Sequence, residues 1–116
     1  MMALLMGLRT LSPQEVLQHV RAGSARVFDV NAPGHWLQAR VPGAVNLDPA
    51  RYDGTALPPD RALLLVFYCS NPLCRKAPSA ALRARGFGYE NVRVMSAGIK
   101  GWLSARLPVE SGPASA

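Results

Sequence analysis

The sequence predicts an α/β fold in which helices are layered on a mostly parallel sheet. Three observations lead to this fold class. Strand-like and helix-like segments alternate along the chain, residues 62–68 form a continuous apolar run, and a length of 116 residues suits one domain. Alternation of this kind is typical of folds with a parallel sheet. A continuous apolar run is typical of a central strand that is covered on both faces.

The first predicted element is a helix over residues 13–22. Ser12 and Glu15 have the spacing of a capping box, in which each side chain binds the backbone amide of the other residue. Pro13 falls in the first helical turn, where its missing amide costs nothing, and Gly23 is a typical helix end. Because these signals are local, we expect the helix to begin and end close to them.

The later elements follow from runs of β-branched or apolar residues and from the Gly and Pro residues that separate them. Gly86 is predicted to end the third of the four helices. Residues 48–61 are polar and contain three prolines, which predicts a loop with one helical turn. The predicted order is strand 26–30, short helix 35–39, strand 44–47, strand 62–68, helix 75–85, strand 91–95 and helix 98–106.

The sequence predicts one domain over residues 11–110, with an N-terminal extension over residues 1–10 and a flexible tail over residues 111–116. The apolar start lacks a basic leading region and stops at Arg9. It is therefore too short for a membrane span and atypical of a secretion signal. We expect a cytoplasmic protein with no membrane partner.

The formal net charge of +6 is compatible with nucleic acid, an anionic membrane or a small anionic substrate as a partner. Only 7% of the residues are aromatic, and no run of five like charges occurs. Surfaces that bind single-stranded nucleic acid typically combine basic grooves with exposed aromatic side chains. We therefore expect no nucleic-acid partner.

The two cysteines carry the chemistry that the sequence suggests. Cys69 and Cys74 are five positions apart in a chain without an export signal, so cysteines that are reduced and reactive, or redox-active, are favoured over a structural bridge. Cys69 ends the predicted central strand, and a helix begins about six residues later. Loop amides and the helix dipole at such a place stabilise an anion, which predicts a lowered pKa for the Cys69 thiol. Arg75 and Lys76 would strengthen this effect, whereas an inert buried cysteine is the alternative.

Five segments occur in a recognisable order along the chain. They are Phe28-Asp29-Val30-Asn31, Arg40-Val41-Pro42-Gly43-Ala44, Val66-Phe67-Tyr68-Cys69, Arg85-Gly86-Phe87 and Ser96-Ala97-Gly98-Ile99-Lys100-Gly101-Trp102. In this order and spacing they resemble the rhodanese-type single-domain sulfurtransferases. The resemblance covers about residues 11–110.

The resemblance implies a rhodanese-like three-layer α/β/α fold around a five-stranded, mostly parallel sheet. It also implies that Cys69 is a nucleophile that accepts a sulfane sulfur as a persulfide, without a cofactor or metal. The partners would be a small anionic sulfur donor and a thiol or cyanide-like acceptor, or a protein that accepts the sulfur. Asp29 would tie the sheet end to neighbouring loops. The loop whose amides would bind the sulfur or the donor's oxyanion consists of Ser70, Asn71, Pro72, Leu73, Cys74 and Arg75.

The chain departs from the family pattern at several positions. Ser70 stands where many members have Arg, Pro72 lacks an amide, and Asn31 and Arg40 replace the usual Arg and His of the first half. These departures concern the sulfur donor, and thiosulfate in particular, more than the fold.

Two alternatives remain open from the sequence. Cys69 to Arg75 also reads as Cys-x5-Arg, an arrangement by which phosphatases and arsenate reductases of this fold hold a tetrahedral oxyanion. Cys74 is either a resolving thiol for Cys69 or an inert residue that closes the loop. The first of these two roles is compatible with a non-enzymatic sulfide carrier or redox sensor that cycles between dithiol and disulfide.

Overall fold

The computed structural model describes residues 7–114 as a five-stranded sheet flanked by helices. All four strand pairings are parallel, and the strand order is β1-β5-β4-β2-β3. The elements are β1 (Arg9–Thr10), α1 (Pro13–Ala22), β2 (Ala25–Asp29), α2 (Pro33–Gln38), β3 (Val45–Asn46), a 3-10 helix (Gly54–Ala56), β4 (Leu64–Tyr68), α3 (Lys76–Gly86), β5 (Val92–Val94) and α4 (Gly98–Ser104).

Strand β4 occupies the centre of the sheet and is covered on both faces, as its continuous apolar run predicts. Successive side chains of a strand point to opposite faces. Leu65 and Phe67 pack with the buried alanines of α3 in one core cluster. Val66 and Tyr68 pack with Val16 of α1 and Trp102 of α4 in a second cluster. The three-layer α/β/α architecture and its five-stranded sheet are thereby confirmed.

Helix α1 begins with the predicted capping box. The Glu15 amide donates to Ser12 Oγ at 3.1 Å, and the Ser12 amide donates to Glu15 Oε1 at 2.8 Å. Gly23 ends the helix with a φ of +64°, a left-handed conformation that glycine adopts at little cost. The local signals therefore act as expected at both ends.

Several predicted boundaries differ from the structure. Helix α3 includes Gly86, and the amide of the following residue, Phe87, donates to carbonyl groups of the last helical turn. Strands β3, β4 and β5 are shorter than predicted, because ladder pairing starts only at Leu64 in β4 and is limited to Val45–Asn46 in β3 and Val92–Val94 in β5. The predicted helical turn within residues 48–61 is present as the 3-10 helix.

Both chain ends contribute more to the domain than predicted. Leu8 is buried, and Arg9–Thr10 pairs with β5, so part of the supposed extension belongs to the sheet. The Gly112 amide donates to the Leu37 carbonyl at 2.7 Å, which anchors the start of the supposed tail. The expectations for residues 1–6 and 115–116 lie outside the described residues. Within residues 7–114, no helix has the length and apolar character needed to cross a membrane.

Candidate functional site

Cys69 lies at the carboxyl edge of the sheet, directly after β4. Because β4 pairs with both β2 and β5, this position is central in the sheet. Parallel sheets typically bind ligands at the carboxyl ends of their strands. The side chain is only 3% exposed, so the sulfur lies beneath the surface of the loop that follows.

The amino end of α4 holds the first half of this loop. The Ile99 amide donates to the Cys69 carbonyl at 2.9 Å, and the Lys100 amide donates to the Ser70 carbonyl at 3.0 Å. Gly98 has a φ of +66°, and a Cβ atom on it would lie 2.5 Å from the Ser70 carbonyl carbon. Only glycine permits this close approach, so Gly98 positions the backbone around Cys69.

Asn71 shapes the second half of the loop. Its Oδ1 atom accepts from the Leu73 amide at 2.9 Å, and its carbonyl accepts from the Cys74 amide at 3.1 Å. These two bonds turn the chain back on itself at Pro72. The turn brings Cys74 to Cys69, with the two Cα atoms 6.4 Å apart and the sulfur atoms joined in a disulfide.

The disulfide bears on two predictions about the cysteines. The sequence left a resolving Cys74 and an inert Cys74 open, and the structure places the two cysteines within bonding reach. The structure contains the pair in its bonded form. Whether the pair is redox-active, as the sequence also allowed, stays a prediction. A lowered pKa for the Cys69 thiol applies to the reduced protein and stays a prediction.

Only some of the loop amides that were predicted to bind an anion are free to do so. The amides of Leu73 and Cys74 are engaged by Asn71, and Pro72 has no amide to offer. Within residues 7–114, the amides of Ser70, Asn71 and Arg75 have no hydrogen-bond partner. These three amides are the groups in the loop that are free to bind an anion.

Basic side chains flank the loop where it meets α3. Arg75 and Lys76 are both exposed, and each lines a cleft of about 240 Å³. Lys76 also borders an adjoining cleft of about 490 Å³ next to the ends of β2 and β3. Leu73, at the tip of the loop, is 85% exposed. A small anion can therefore approach the loop from a positively charged side.

A buried polar network supports the strand end that carries Cys69. Tyr68 donates through its hydroxyl to Asp29 Oδ2 at 2.6 Å and accepts from the Val41 amide at 3.0 Å. Asp29 also accepts from the Asn31 amide at 2.8 Å. Burial raises the pKa of the Asp29 carboxyl, against the lowering effect of these hydrogen bonds. Asp29 thus ties β2, β4 and neighbouring loops together, in line with its expected structural role.

Ser96 is a site residue that the sequence did not indicate as chemically important. It follows β5 and lines a cavity of about 10 Å³ together with Cys69 and Cys74. Its Oγ atom is buried and has no hydrogen-bond partner among the described residues. The family-like segment that begins at Ser96 gave it no chemical role, because the cavity forms only when the ends of β4 and β5 meet.

Other residues considered from the sequence lie away from this edge. Arg40 is buried beside Trp36 and donates to the Gly112 carbonyl at 2.7 Å, so it anchors the carboxyl-terminal segment. His19 contacts the Ser24 hydroxyl at 2.8 Å, and His35 is exposed. Within residues 7–114, no group of three or more His, Cys, Asp or Glu side chains has a geometry suited to a metal ion.

Comparison with known proteins adds family information to this geometry. The family model described as Rhodanese-like domain matches residues 12–105. The HTH-type transcriptional regulator Rv0324 of Mycobacterium tuberculosis is 35% identical over 100 residues, which cover 84% of this chain and 43% of that protein. The chain therefore spans less than half the length of this relative.

Two solved structures illustrate the shared fold. A human single-domain sulfurtransferase is 25% identical, with a TM-score of 0.70 over 82% of this chain and 95% of that one. The BH2092 protein of Bacillus halodurans is 20% identical, with a TM-score of 0.80 over 89% of this chain and 77% of that one. Both similarities extend across most of the described chain.

Proposed function

The chain belongs to the family of rhodanese-like domains, and we propose on this basis that it is a sulfurtransferase that carries a sulfane sulfur as a persulfide on Cys69. The observation that carries the proposal is the position of Cys69 at the end of the central strand, inside a loop that leads into α3. The human protein of similar fold that is named a single-domain sulfurtransferase supports the same reaction class.

The loop supplies the groups that this reaction needs. The free amides of Ser70, Asn71 and Arg75 stabilise the negative charge of a thiolate or of a terminal persulfide sulfur. The amino end of α3 adds a partial positive charge, and Arg75 and Lys76 add full charges nearby. An anionic sulfur donor is therefore favoured over a neutral one.

Sulfur transfer proceeds in two displacement steps. The Cys69 thiolate attacks the sulfane sulfur of the donor, whose remaining part leaves with the electron pair of the broken bond. An acceptor thiolate or cyanide ion then attacks the terminal sulfur of the persulfide and regenerates the Cys69 thiolate. Both steps require reduced Cys69, so the Cys69–Cys74 disulfide has to be reduced before the first turnover.

The requirement for reduced cysteines bears on location and partners. A cytoplasmic location suits the proposal, because cytoplasmic thiol pools keep such pairs reduced. The exposed Leu73 at the loop tip offers an apolar contact for a protein that accepts the sulfur. Small thiols or cyanide-like ions would need no such contact.

Mass spectrometry of the reduced protein tests the proposal. After incubation with thiosulfate or 3-mercaptopyruvate, the Cys74→Ser variant is expected to gain one sulfur atom, located on Cys69 by peptide mapping. The Cys69→Ser variant, the matched control, is expected to gain none. Failure of both donors to add sulfur to the Cys74→Ser variant would overturn the proposal.

The disulfide favours a second candidate function, a non-enzymatic sulfide carrier or redox sensor in which Cys69 and Cys74 cycle between dithiol and disulfide. A redox titration of the thiols tests it, because a sensor requires both cysteines to react as a pair. The sensor is refuted if Cys74→Ser leaves the oxidation behaviour of Cys69 unchanged.

The Cys-x5-Arg alternative gains no comparable support. Arg75 is exposed, and its guanidinium makes no hydrogen bond or ion pair among residues 7–114. Turnover of an aryl phosphate, or reduction of arsenate, that depends on Arg75 would be the sign of this chemistry.

A further inference from the structure

The small cavity beside Cys69 and Cys74 is lined by a buried polar group that makes no hydrogen bond. The Ser96 hydroxyl lies buried at this cavity without a partner among the described residues. A buried polar group without a hydrogen bond typically costs about 1–3 kcal/mol, and such groups are rare in folded proteins. Ser96 is therefore suited to a partner that arrives during the reaction.

The size of the cavity limits what this partner can be. Its volume of about 10 Å³ corresponds to roughly one water-sized occupant. The cavity is lined by both cysteines as well as by Ser96. Any occupant larger than a single atom beside a cysteine sulfur is thereby excluded, and the hydroxyl hydrogen of Ser96 suits an anionic sulfur.

The backbone of the loop holds Cys74 in reach of Cys69. A Cα separation of 6.4 Å lies within the usual range for a disulfide, which is about 4.4–6.8 Å. The Asn71 turn imposes this separation through hydrogen bonds to the amides of Leu73 and Cys74. Any sulfur species formed on Cys69 thus has a second thiol beside it.

From this geometry we infer that Cys74 releases the sulfur carried by Cys69 as sulfide, with the Ser96 hydroxyl donating a hydrogen bond to the departing sulfur. The inference rests on the proposed function, because it needs a persulfide on Cys69. It adds an activity, since the protein would convert a sulfane sulfur to sulfide without an external acceptor.

The step balances in atoms and electrons. The Cys74 thiol passes its proton to the terminal sulfur of the persulfide anion, and the resulting thiolate attacks Sγ of Cys69, so the bond between that Sγ and the terminal sulfur breaks. The electron pair leaves with the terminal sulfur as hydrosulfide, so the sulfane sulfur is reduced while the two cysteines are oxidised to their disulfide. A dithiol reductant then returns the disulfide to two thiols by exchange and prepares the next turnover.

The direction of attack follows from the position of Cys74. Its sulfur lies within bonding reach of Cys69 Sγ, which is the inner sulfur of a persulfide on Cys69. Attack on the inner sulfur therefore gives hydrosulfide and the disulfide found in the structure. Since both thiols belong to one loop, the step is intramolecular and its rate is independent of any added acceptor.

A single-turnover experiment tests the inference. Reduced protein, freed of reductant under anaerobic conditions, is mixed with thiosulfate and, in parallel, with 3-mercaptopyruvate. Neither donor leaves sulfide behind when its sulfur is taken. The wild-type chain is expected to release one equivalent of sulfide and then to stop in the disulfide form. Cys74→Ser and Cys74→Ala are expected to keep the sulfur on Cys69 and to release no sulfide.

The outcomes separate this inference from the proposed function. If the Cys74 variants take up no sulfur from either donor, the proposed function fails. If they take up sulfur but the wild-type chain also keeps its persulfide, the inference fails while the proposed function stands. Sulfide release at an equal rate from Cys74→Ser, or migration of the sulfur to Cys74, would likewise overturn the inference.

Ser96→Ala tests the role of the hydroxyl separately. We expect sulfide release to slow roughly three- to tenfold, which is the effect of losing one hydrogen bond to the departing sulfur. Sulfite release from thiosulfate, which reports sulfur uptake, is measured in parallel, and we expect it to slow less than sulfide release. Ser104→Ala, which removes an exposed hydroxyl on α4, is the matched control. Equal rates of sulfide release in the two variants would contradict a role for Ser96.

Discussion

Substitution of Gly98 by Ala tests how closely α4 approaches the loop that follows Cys69. The new Cβ atom would lie 2.5 Å from the Ser70 carbonyl carbon and 2.7 Å from the Asn71 amide nitrogen. Both are backbone atoms, so the contact cannot be relieved by rotating a side chain. Forcing such an atom into a packed region costs about 1–3 kcal/mol. A residue other than glycine in the left-handed conformation costs about 1–2 kcal/mol more.

Gly23→Ala is the matched control, because Gly23 has a nearly identical φ of +64° but no atom within 4 Å of the point where a Cβ atom would lie. The conformational cost and the loss of freedom in the unfolded chain are therefore common to both variants. We expect urea denaturation to show Gly98→Ala to be less stable than Gly23→Ala by about 1–3 kcal/mol. Equal losses of stability in the two variants would refute the close approach of α4 to the loop.

Three further predictions concern the buried polar groups. Burial raises the pKa of Asp29 above its ordinary 3.8, so the folded state holds its proton more tightly and stability should fall as pH rises above that value. Urea denaturation across this range should show a smaller fall for Asp29→Asn, and identical pH profiles would contradict the assignment. Tyr68→Phe should lower the free energy of unfolding by about 1–3 kcal/mol, because Asp29 Oδ2 and the Val41 amide lose their partner; a change below about 0.5 kcal/mol would argue against the network. Arg40→Lys should speed hydrogen exchange at the Gly112 amide, since lysine lacks the planar fork that anchors this segment; unchanged exchange would show that Arg40 is dispensable there.

The elements that sequence reasoning predicts best are those with signals confined to a few neighbouring residues. Helix α1 is an example, because its capping box and its final glycine are all contained within residues 12–23. Strand β4 is another, since seven consecutive apolar residues have few alternatives in a domain of this size. The position of Cys69 at the edge of the sheet follows directly from β4.

Features that depend on distant parts of the chain could not be predicted in this way. Strand β1 has only two residues, and its identity as a strand comes from pairing with β5, more than 80 residues later. Ser96 and Gly98 gain their roles by meeting the Cys69 loop, a contact that their family-like segment did not by itself identify. The anchoring of Gly112 by Arg40 joins residues 72 positions apart.

The loop itself lies between these two cases. The sequence identifies Cys69, Cys74 and the basic residues that follow, but it leaves the spacing of the two sulfur atoms open. Asn71 before Pro72 is a common turn signal, and its side chain determines which amides remain free. To predict which amides remain free therefore requires the hydrogen bonds of the folded loop as well as its residue types.

A crystal structure of the reduced Cys74→Ser variant after treatment with thiosulfate or 3-mercaptopyruvate tests the central claim most directly. We expect electron density for one additional sulfur atom bonded to Cys69 Sγ, next to the cavity that Ser96 lines. An unmodified Cys69 after treatment with either donor, or sulfur bound to another residue, would contradict sulfur transfer through Cys69.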